Sequence, residues 1–299
     1  MTRRIALIGF GEAGRTFAAA GDWCAQARVF DIKTDTAATA DAMRAAYAEH
    51  EVVGCNRLDE ALDGAEIVLS LVTADQATPA ADAAARHIPA GALFCDMNSV
   101  SPGRKRANAA AIDAAGGRYV DVAVMAPVQP AALNVPLLLS GTAANDAQAA
   151  LRDLGFAKIQ VVGDEIGAAS ATKMVRSVMI KGIEALTAEM IMAADAAGVK
   201  EGVLASLGGD WAQKADYNLD RMLAHGTRRA AEMEEVAQTL RELGLEPLMT
   251  AGTIERQRAM GALLAGAPMP EGLEAKLTLI KDRHPELVSG SIAPHETTV

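Results

Sequence analysis

A lysine near the start of a long apolar segment is the side chain best suited to proton transfer in this 299-residue chain. Lys173 lies early in residues 166–197, a proline-free stretch of helical character. A lysine buried beside a reacting group holds its proton less tightly and can exchange it with a hydroxyl. Ser177, four residues further on, projects from the same helix face. From spacing alone, a solvated surface lysine is the commoner alternative.

A glycine pattern near the start of the chain is typical of phosphate binding. The apolar run Ile5 to Ile8 predicts a buried strand, and a helix is expected to continue through about Ala20. Between them lies a GxGxxG loop, whose glycines permit a tight turn, close approach of a pyrophosphate and close helix packing. The helix N-terminus offers N–H groups to the phosphates. We predict a dinucleotide site formed by Gly9, Phe10, Gly11, Glu12, Ala13 and Gly14.

The end of the next predicted strand, residues 28–30, indicates which coenzyme is bound. Asp31 follows this strand, about 20 residues after the first glycine, where a carboxylate accepts a hydrogen bond from a ribose 2′-OH. It would repel a 2′-phosphate, which favours NAD. Lys33 and Thr34 follow closely and leave NADP open. The alternative to a dinucleotide site at residues 9–14 is a glycine-rich turn in some other kind of α/β domain.

Polar residues follow other predicted strands as well. Ligands of open α/β sheets bind beyond the carboxyl ends of the strands, which makes these positions candidates for contact. Asn98 and Ser99 are equally well explained as part of a helix cap, because Ser101 and Pro102 form a typical helix start. We assign Val72, Thr73 and Asn98 to the coenzyme, and Ser99 and Met125 to the substrate.

A basic cluster in the second half could bind an anionic substrate. Gly226 is expected to separate helices over 209–224 and 227–243, which would place Arg228 and Arg229 at a helix start. Positive charge is unfavourable there unless an anion offsets it. A solvated pair, or ion pairs with acidic side chains, explain the arginines equally well. The residues assigned to the substrate here are Lys181, His225, Arg228 and Arg229.

The elements that must position these residues fall into two halves. Strand-like runs alternate with alanine-rich helical stretches, which predicts an α/β Rossmann-type, doubly wound, mostly parallel sheet. From about Glu165 only helical segments follow, which predicts an all-α C-terminal domain. We expect a dinucleotide-binding domain over 1–164, a helical substrate and dimerisation domain over 165–290, and a mobile tail over 291–299.

Composition excludes several classes of partner and site. The net charge of −10, with no basic stripe, argues against nucleic acid and anionic membranes. The apolar run after Arg3 and Arg4 is short and reads as a strand rather than a signal peptide, and no run approaches the ~20 residues of a membrane span. Three cysteines without metal-ligand spacing predict reduced thiols in the cytoplasm and no metal site.

Three motifs together resemble the β-hydroxyacid dehydrogenase family, related to 6-phosphogluconate and 3-hydroxyisobutyrate dehydrogenases. The glycine loop matches the family's opening. Residues Asp96 to Pro102 match Asp-x-(Ser/Asn)-(Ser/Thr)-x-x-Pro, and Gly167 and Lys173 match the catalytic-helix motif Gly-x-Gly-x-x-x-Lys-x-x-x-Asn. The resemblance covers nearly the whole chain. It implies a Rossmann domain, a helical domain and Lys173 as the general acid/base.

Two departures from the family pattern affect the substrate. The loop Asp-Ala-Pro-Val-Ser-Gly-Gly, which commonly holds a substrate carboxylate, reads Asp-Val-Ala-Val-Met-Ala-Pro over residues 121–127. The family's asparagine after the lysine is Ser177. Substrate specificity is therefore expected to differ from that of the familiar members. The C-terminal half more closely resembles a little-characterised branch of phosphogluconate-dehydrogenase-like proteins, which carries the pattern Lys-Met-x-Arg-Ser…Lys-Gly-x-Glu-Ala-Leu found here from Lys173 onward.

These observations predict an NAD-preferring oxidoreductase. Hydride would pass between nicotinamide and a carbinol carbon of a small acidic or polyol substrate, with Lys173 moving the hydroxyl proton and Ser177 and Asn98 orienting the hydroxyl. A long apolar helix must bury more than one of its faces against other protein surfaces, so we expect a homodimer formed through the helical domain. The alternatives are an imine or carbonyl reductase and a non-catalytic NAD(H)-binding sensor.

Overall fold

The chain divides into two compact units, with the boundary between Val175 and Arg176. The computed structural model describes residues 3–264 and 266–283. The boundary lies inside a long helix, later in the chain than the division expected after residue 164. The tail expected over 291–299 lies outside the described residues.

The first unit is built on one eight-stranded sheet with the order β3-β2-β1-β4-β5-β6-β7-β8. Neighbouring strands are parallel except β6 and β7, which pair antiparallel. The order reverses between β1 and β4, which confirms the predicted doubly wound, mostly parallel arrangement. The strands are β1 (Ile5–Ile8), β2 (Arg28–Phe30), β3 (Val53–Gly54), β4 (Ile67–Ser70), β5 (Leu93–Asp96), β6 (Arg118–Val124), β7 (Leu137–Ser140) and β8 (Ile159–Gly163).

Helices cover both faces of this sheet. Ile5 and Leu7 belong to one apolar cluster, whereas Ala6 and Ile8 belong to another. Because successive strand residues point to opposite faces, the two clusters are the two cores of a three-layer domain. The helices are α1 (Glu12–Ala20), α2 (Ala37–Glu49), α3 (Leu58–Leu62), α4 (Ala77–Ala85), α5 (Pro102–Ala114) and α6 (Ala144–Asp153).

Two short elements of this unit were not expected from the sequence. Strand β3 has only two residues, both exposed, so it offers no apolar run to recognise. Helix α3 has five residues and precedes β4 directly. Both elements lie where apolar and polar residues show little helical or strand periodicity. Strand β3 forms because it pairs with β2, and local strand propensity contributes little.

The second unit is helical. It contains the later part of α7 (Ala168–Ala196), then α8 (Lys200–Leu207), α9 (Trp211–Glu242), α10 (Leu248–Leu263) and α11 (Leu273–Arg283). Its core joins these helices through buried residues such as Ile191, Leu219, Met260 and Ile280. Within residues 3–264 and 266–283, no helix is long and apolar enough to cross a membrane.

Helix α9 is continuous, so the break expected at Gly226 is wrong. A Cβ on Gly226 would lie 2.2 Å from the carbonyl oxygen of Gln257, and one on Gly261 would lie 2.3 Å from the amide nitrogen of Thr227. The two glycines therefore permit α9 and α10 to cross in close contact. Sequence reasoning took Gly226 for a helix end because close helix packing leaves the same signal. Arg228 and Arg229 consequently lie inside a helix and not at its N-terminus.

Candidate active site

The glycine loop between β1 and α1 has the geometry that a pyrophosphate needs. Gly9 has a φ of +93°, and a Cβ there would lie 2.8 Å from the carbonyl oxygen of Leu71. A Cβ on Gly14 would lie 2.8 Å from the carbonyl oxygen of Gly9, so the glycine lets α1 pack on the turn. A Cβ on Gly11 would meet nothing within 4 Å. Gly11 thus faces open space at the N-terminus of α1, and the loop fits a dinucleotide.

Asp31 ties this loop to the end of β2. One carboxylate oxygen accepts a hydrogen bond from the amide of Phe10 at 2.7 Å, and the other accepts one from the amide of Lys33 at 2.9 Å. The amide of Asp31 donates to the hydroxyl of Tyr47 at 2.8 Å. Burial raises the pKa of Tyr47 well above its usual value, so this phenol stays protonated. Asp31 therefore shapes the loop, and its contact with a ribose stays a prediction.

Asn98 braces two strand ends. Its side-chain oxygen accepts a hydrogen bond from the amide of Val72 at 2.7 Å, and its side-chain nitrogen donates to the hydroxyl of Ser70 at 2.9 Å. Ser101, not Asn98, caps α5, since its side chain accepts from the amide of Arg104. Asn98 is thus held at the carboxyl ends of β4 and β5, beside Val72 and the exposed Thr73.

The clearest feature of the site is the contact between Lys173 and Ser99. The Nζ of Lys173 donates a hydrogen bond to the Oγ of Ser99 at 2.6 Å. Both side chains are partly exposed, so a small molecule can reach them. Two residues that the sequence analysis took from separate motifs therefore meet beyond the end of β5. An ammonium or amine next to a hydroxyl can relay a proton to a bound substrate.

A buried ion cluster that the sequence analysis did not identify lies beneath this contact. Lys105 of α5 lies 3.1 Å from a carboxylate oxygen of Asp96 and 3.3 Å from one of Asp121. All three side chains are fully buried. A signal was present: Lys105 shares helical spacing with Ala109 and Ile112, the buried face of α5.

In the second unit, the basic residues assigned to the substrate pair with acids. Arg229 is buried and forms a two-pronged ion pair with Glu184, its Nε lying 3.1 Å from Oε2. Lys181 binds Glu232 at 2.7 Å, and Arg228 approaches the same carboxylate at 3.8 Å. Burial lowers the pKa of Lys181, and Glu232 partly offsets this.

The remaining assigned residues take the following places. Met125 follows β6 directly and is partly buried, with its amide donating to the carbonyl of Pro136 at 2.9 Å. Ser177 is buried on α7, and His225 is partly buried in the middle of α9. Within residues 3–264 and 266–283, no group of three or more His, Cys, Asp or Glu residues could hold a metal ion.

Comparison with known proteins identifies the two units separately. Residues 4–163 match the NAD binding domain of 6-phosphogluconate dehydrogenase. Residues 194–260 match a domain of unknown function, DUF1932. A conserved hypothetical protein from Sinorhizobium meliloti 1021 is 37% identical with a TM-score of 0.76, over 95% of this chain and 97% of that one.

Other solved structures connect the fold to dehydrogenases. A conserved protein of unknown function, described as structurally similar to 3-hydroxyacid dehydrogenases, is 30% identical with a TM-score of 0.67, over 87% of this chain and 97% of that one. Mycobacterium tuberculosis 3-hydroxyisobutyrate dehydrogenase has a TM-score of 0.71 at 16% identity, over 94% and 99%. Streptomyces aurantiacus imine reductase has a TM-score of 0.55 at 21% identity, over 93% and 99%.

The glycine loop, the doubly wound sheet and the matched residues agree with one another. They support an oxidoreductase that binds a nicotinamide dinucleotide. The chain belongs to the family defined by the NAD binding domain of 6-phosphogluconate dehydrogenase, and its fold is that of the 3-hydroxyacid dehydrogenases.

Proposed function

We propose that the protein transfers hydride between a nicotinamide coenzyme and the carbinol carbon of a small hydroxy acid or sugar acid. The observation that carries the proposal is the 2.6 Å contact between Lys173 and Ser99 beyond the carboxyl end of β5. The coenzyme, when bound on the glycine loop, supplies the hydride acceptor or donor. The protein must then place a proton-transfer group at the same edge of the sheet.

Lys173 is that group. In oxidation, its neutral amine takes the proton of the substrate hydroxyl and becomes an ammonium. In reduction, the ammonium returns the proton to the carbonyl oxygen of the substrate. Ser99 holds the amine in place through its hydroxyl, and Asn98, braced between two strands, orients the ligand at this edge.

The substrate is a small acid or polyol, and this chain lacks the loop residues with which the family commonly holds a substrate carboxylate. Met125, Ala126 and Pro127 stand where a serine and two glycines commonly hold a carboxylate, and their side chains donate no hydrogen bond. We assign recognition of a substrate anion to Lys181, His225 and Arg228. Arg229 and Lys181 are the weaker members of the assigned set, because both are buried and already pair with Glu184 and Glu232.

NAD is the coenzyme that we propose. Asp31 keeps a carboxylate at the end of β2, beside the glycine loop, where a 2′-phosphate would add a second negative charge. Lys33 is exposed two residues further on and would be the residue that permits any use of NADP.

We propose that two copies associate through α7. Met179 is 65% exposed, Ile183 40% and Leu186 57%, at spacings that place them along one side of the helix. An apolar stripe of this length is typical of an interface between copies.

The three cysteines, all free thiols, fit a reducing, cytoplasmic compartment.

Imine reduction is the second candidate. It is favoured by the missing carboxylate-binding residues at 125–127, because an imine substrate needs no such contact. The ammonium of Lys173 could then protonate the substrate nitrogen as hydride reaches carbon.

The test is nicotinamide absorbance against panels of hydroxy acids, sugar acids and cyclic imines, with wild type and Lys173→Ala. Turnover of an acid that collapses in the variant, with NADH still bound, supports the dehydrogenase. Turnover of imines alone supports the second candidate. Tight NADH binding without turnover on any panel favours a non-catalytic sensor and contradicts the proposal.

A further inference from the structure

A lysine with no exposed surface lies at the centre of the first unit. The Nζ of Lys105 donates to the backbone carbonyl of Asp96 at 2.6 Å and lies 3.1 and 3.3 Å from the carboxylates of Asp96 and Asp121. Asp96 ends β5, Asp121 lies in β6, and Lys105 is on α5. One ammonium therefore joins a helix to two strands.

Stability alone does not account for this arrangement. Removing three charges from water has a large desolvation penalty, and apolar replacements of such clusters are often as stable or more so. Two carboxylates share one ammonium, so further donors are required. Tyr119 donates to Asp96 at 2.6 Å, and Asn108 donates to the same oxygen at 3.3 Å. Burial raises the pKa of Tyr119, which keeps its hydroxyl protonated and donating.

On one side, the cluster fixes the segment that carries Ser99. The second carboxylate oxygen of Asp96 accepts a hydrogen bond from the amide of Asn98 at 2.9 Å. Ser99 is the next residue. Since Asn98 also bonds Val72 and Ser70, the backbone around Ser99 has little freedom.

On the other side, the cluster fixes the first turn of α7. A carboxylate oxygen of Asp121 accepts a hydrogen bond from the amide of Ser170 at 2.9 Å, and the other accepts one from the hydroxyl of Ser170. Ser140 binds Asp121 at 3.2 Å and accepts from the amide of Ala169 at 3.1 Å. Lys173 lies one helical turn beyond Ser170.

We propose that Lys105 is a positioning residue for the reaction. It acts through Asp96 and Asp121, which hold Ser99 and Lys173 at hydrogen-bonding distance. Neutralising Lys105 would leave two buried carboxylates facing each other, and their repulsion would shift the strand end against the helix turn. The role in the reaction rests on the proposed function, whereas the effect on the position of Lys173 does not.

The second unit offers a matched control. Lys276 is 2% exposed and binds two carboxylates, Asp216 at 2.6 Å and Asp220 at 2.7 Å. Lys105→Met and Lys276→Met thus each remove one buried ammonium from two acids. Only Lys105 belongs to the network of ion pairs and hydrogen bonds that links Ser99 to Lys173.

The first experiment measures kcat, KM and NADH affinity in both variants. A misplaced reacting group can lower the rate by about 100-fold, so we expect Lys105→Met to lose between about 10-fold and 100-fold in kcat, with a smaller loss of NADH affinity because the glycine loop is untouched. Lys276→Met should retain kcat within about 2-fold. In a Lys173→Ala background, adding Lys105→Met should cause no further loss of kcat.

The second experiment needs no substrate. The NADH-bound proteins are treated with a trace of an amine-acylating reagent, and acylation of Lys173 is followed by peptide mass spectrometry. We expect the acylation rate of Lys173 to change by about 3-fold or more in Lys105→Met. The same rate should stay unchanged in Lys276→Met. If wild type turns over no substrate, the proposed function fails while this measurement still tests the position of Lys173.

A variant that keeps Lys105 covers the case in which Lys105→Met does not fold. Ser170→Ala removes only the hydroxyl bond between Asp121 and α7, and should give a smaller change in the same direction in both measurements. Equal kcat losses in Lys105→Met and Lys276→Met, or unchanged acylation of Lys173 in Lys105→Met and Ser170→Ala, would overturn the proposal.

Discussion

The Nζ of Lys173 lies 2.6 Å from the Oγ of Ser99, although 74 positions separate the two residues in the sequence. Ser99 follows a strand of the first unit and Lys173 lies in the first turns of α7, so the contact exists only in the folded chain. It places Lys173, the proposed proton-transfer group, at the edge of the sheet that carries the glycine loop.

Replacing Lys173 by alanine should lower kcat/KM by about 100-fold or more, because general acid/base groups contribute on this scale. NADH affinity should change less than about 2-fold, since the glycine loop is untouched. Steady-state kinetics and NADH fluorescence titration measure the two effects. Lys214→Ala, at a half-exposed lysine of α9, is the control and should behave as wild type. Full activity in Lys173→Ala would reject the assigned role.

Alanine at Gly11 should weaken coenzyme binding without unfolding the protein. A Cβ there meets no protein atom within 4 Å, so it fills the space that a pyrophosphate needs. We expect NADH affinity to fall about 10-fold or more, equal to about 1.4 kcal/mol. Gly14→Ala is the contrasting variant: its Cβ would lie 2.8 Å from the carbonyl oxygen of Gly9, so its Tm should fall. Normal NADH affinity in Gly11→Ala would contradict the assignment of the loop.

Wild type should use NAD more efficiently than NADP. Asp31→Ser should lower the ratio of kcat/KM with NAD to kcat/KM with NADP. The charge lost is the one that would repel a 2′-phosphate, and we expect a change of about 10-fold. Asp35→Ser, at an exposed acid of the same turn, should leave the ratio unaltered. An unaltered ratio in Asp31→Ser would show that the carboxylate acts only on the loop backbone.

Charges in the apolar stripe of α7 should separate the two copies. Met179→Glu combined with Leu186→Glu would place carboxylates in a buried interface, where their desolvation is unfavourable. Light scattering after gel filtration should report a dimer for wild type and a monomer for the variant. Leu207→Glu, at an exposed apolar residue of α8, should remain dimeric. A monomeric wild type would refute the association.

Arg229 is expected to act on stability more than on substrate binding. Glu184 accepts bonds from both Arg229 and Gln257, so Arg229→Met leaves a buried carboxylate without its cation. Breaking such a pair typically lowers the free energy of unfolding by about 3–5 kcal/mol. Urea denaturation measures this loss, and adding Glu184→Leu should recover part of it. A raised KM with unchanged stability would instead support the assignment of Arg229 to the substrate.

Local signals made much of the first unit predictable. The glycine loop, the strand before it and the N-cap at Ser101 each depend on a few adjacent residues, and each lies where it was expected. Lys173 carried a recognisable motif. The family resemblance is confirmed by the matches to residues 4–163 and to 3-hydroxyacid dehydrogenase structures.

The features that were missed depend on contacts between distant parts of the chain. Gly226 shows its purpose only beside Gly261 of another helix. Lys105 looked like one charge among several in a polar helix, and its carboxylate partners come from two different strands. Sequence spacing reports neighbours along one element and carries no record of which charges meet across the fold.

The division of the chain after Val175 has a consequence for protein engineering. Lys173, Ser99 and the cluster around Lys105 all precede this boundary, so the proposed proton relay lies in the same unit as the glycine loop. The helical half can then be exchanged without replacing any of these residues. Chimaeras that join the first 175 residues to the helical half of a relative should therefore keep the chemistry and exchange the specificity, as expected for a modular catalyst.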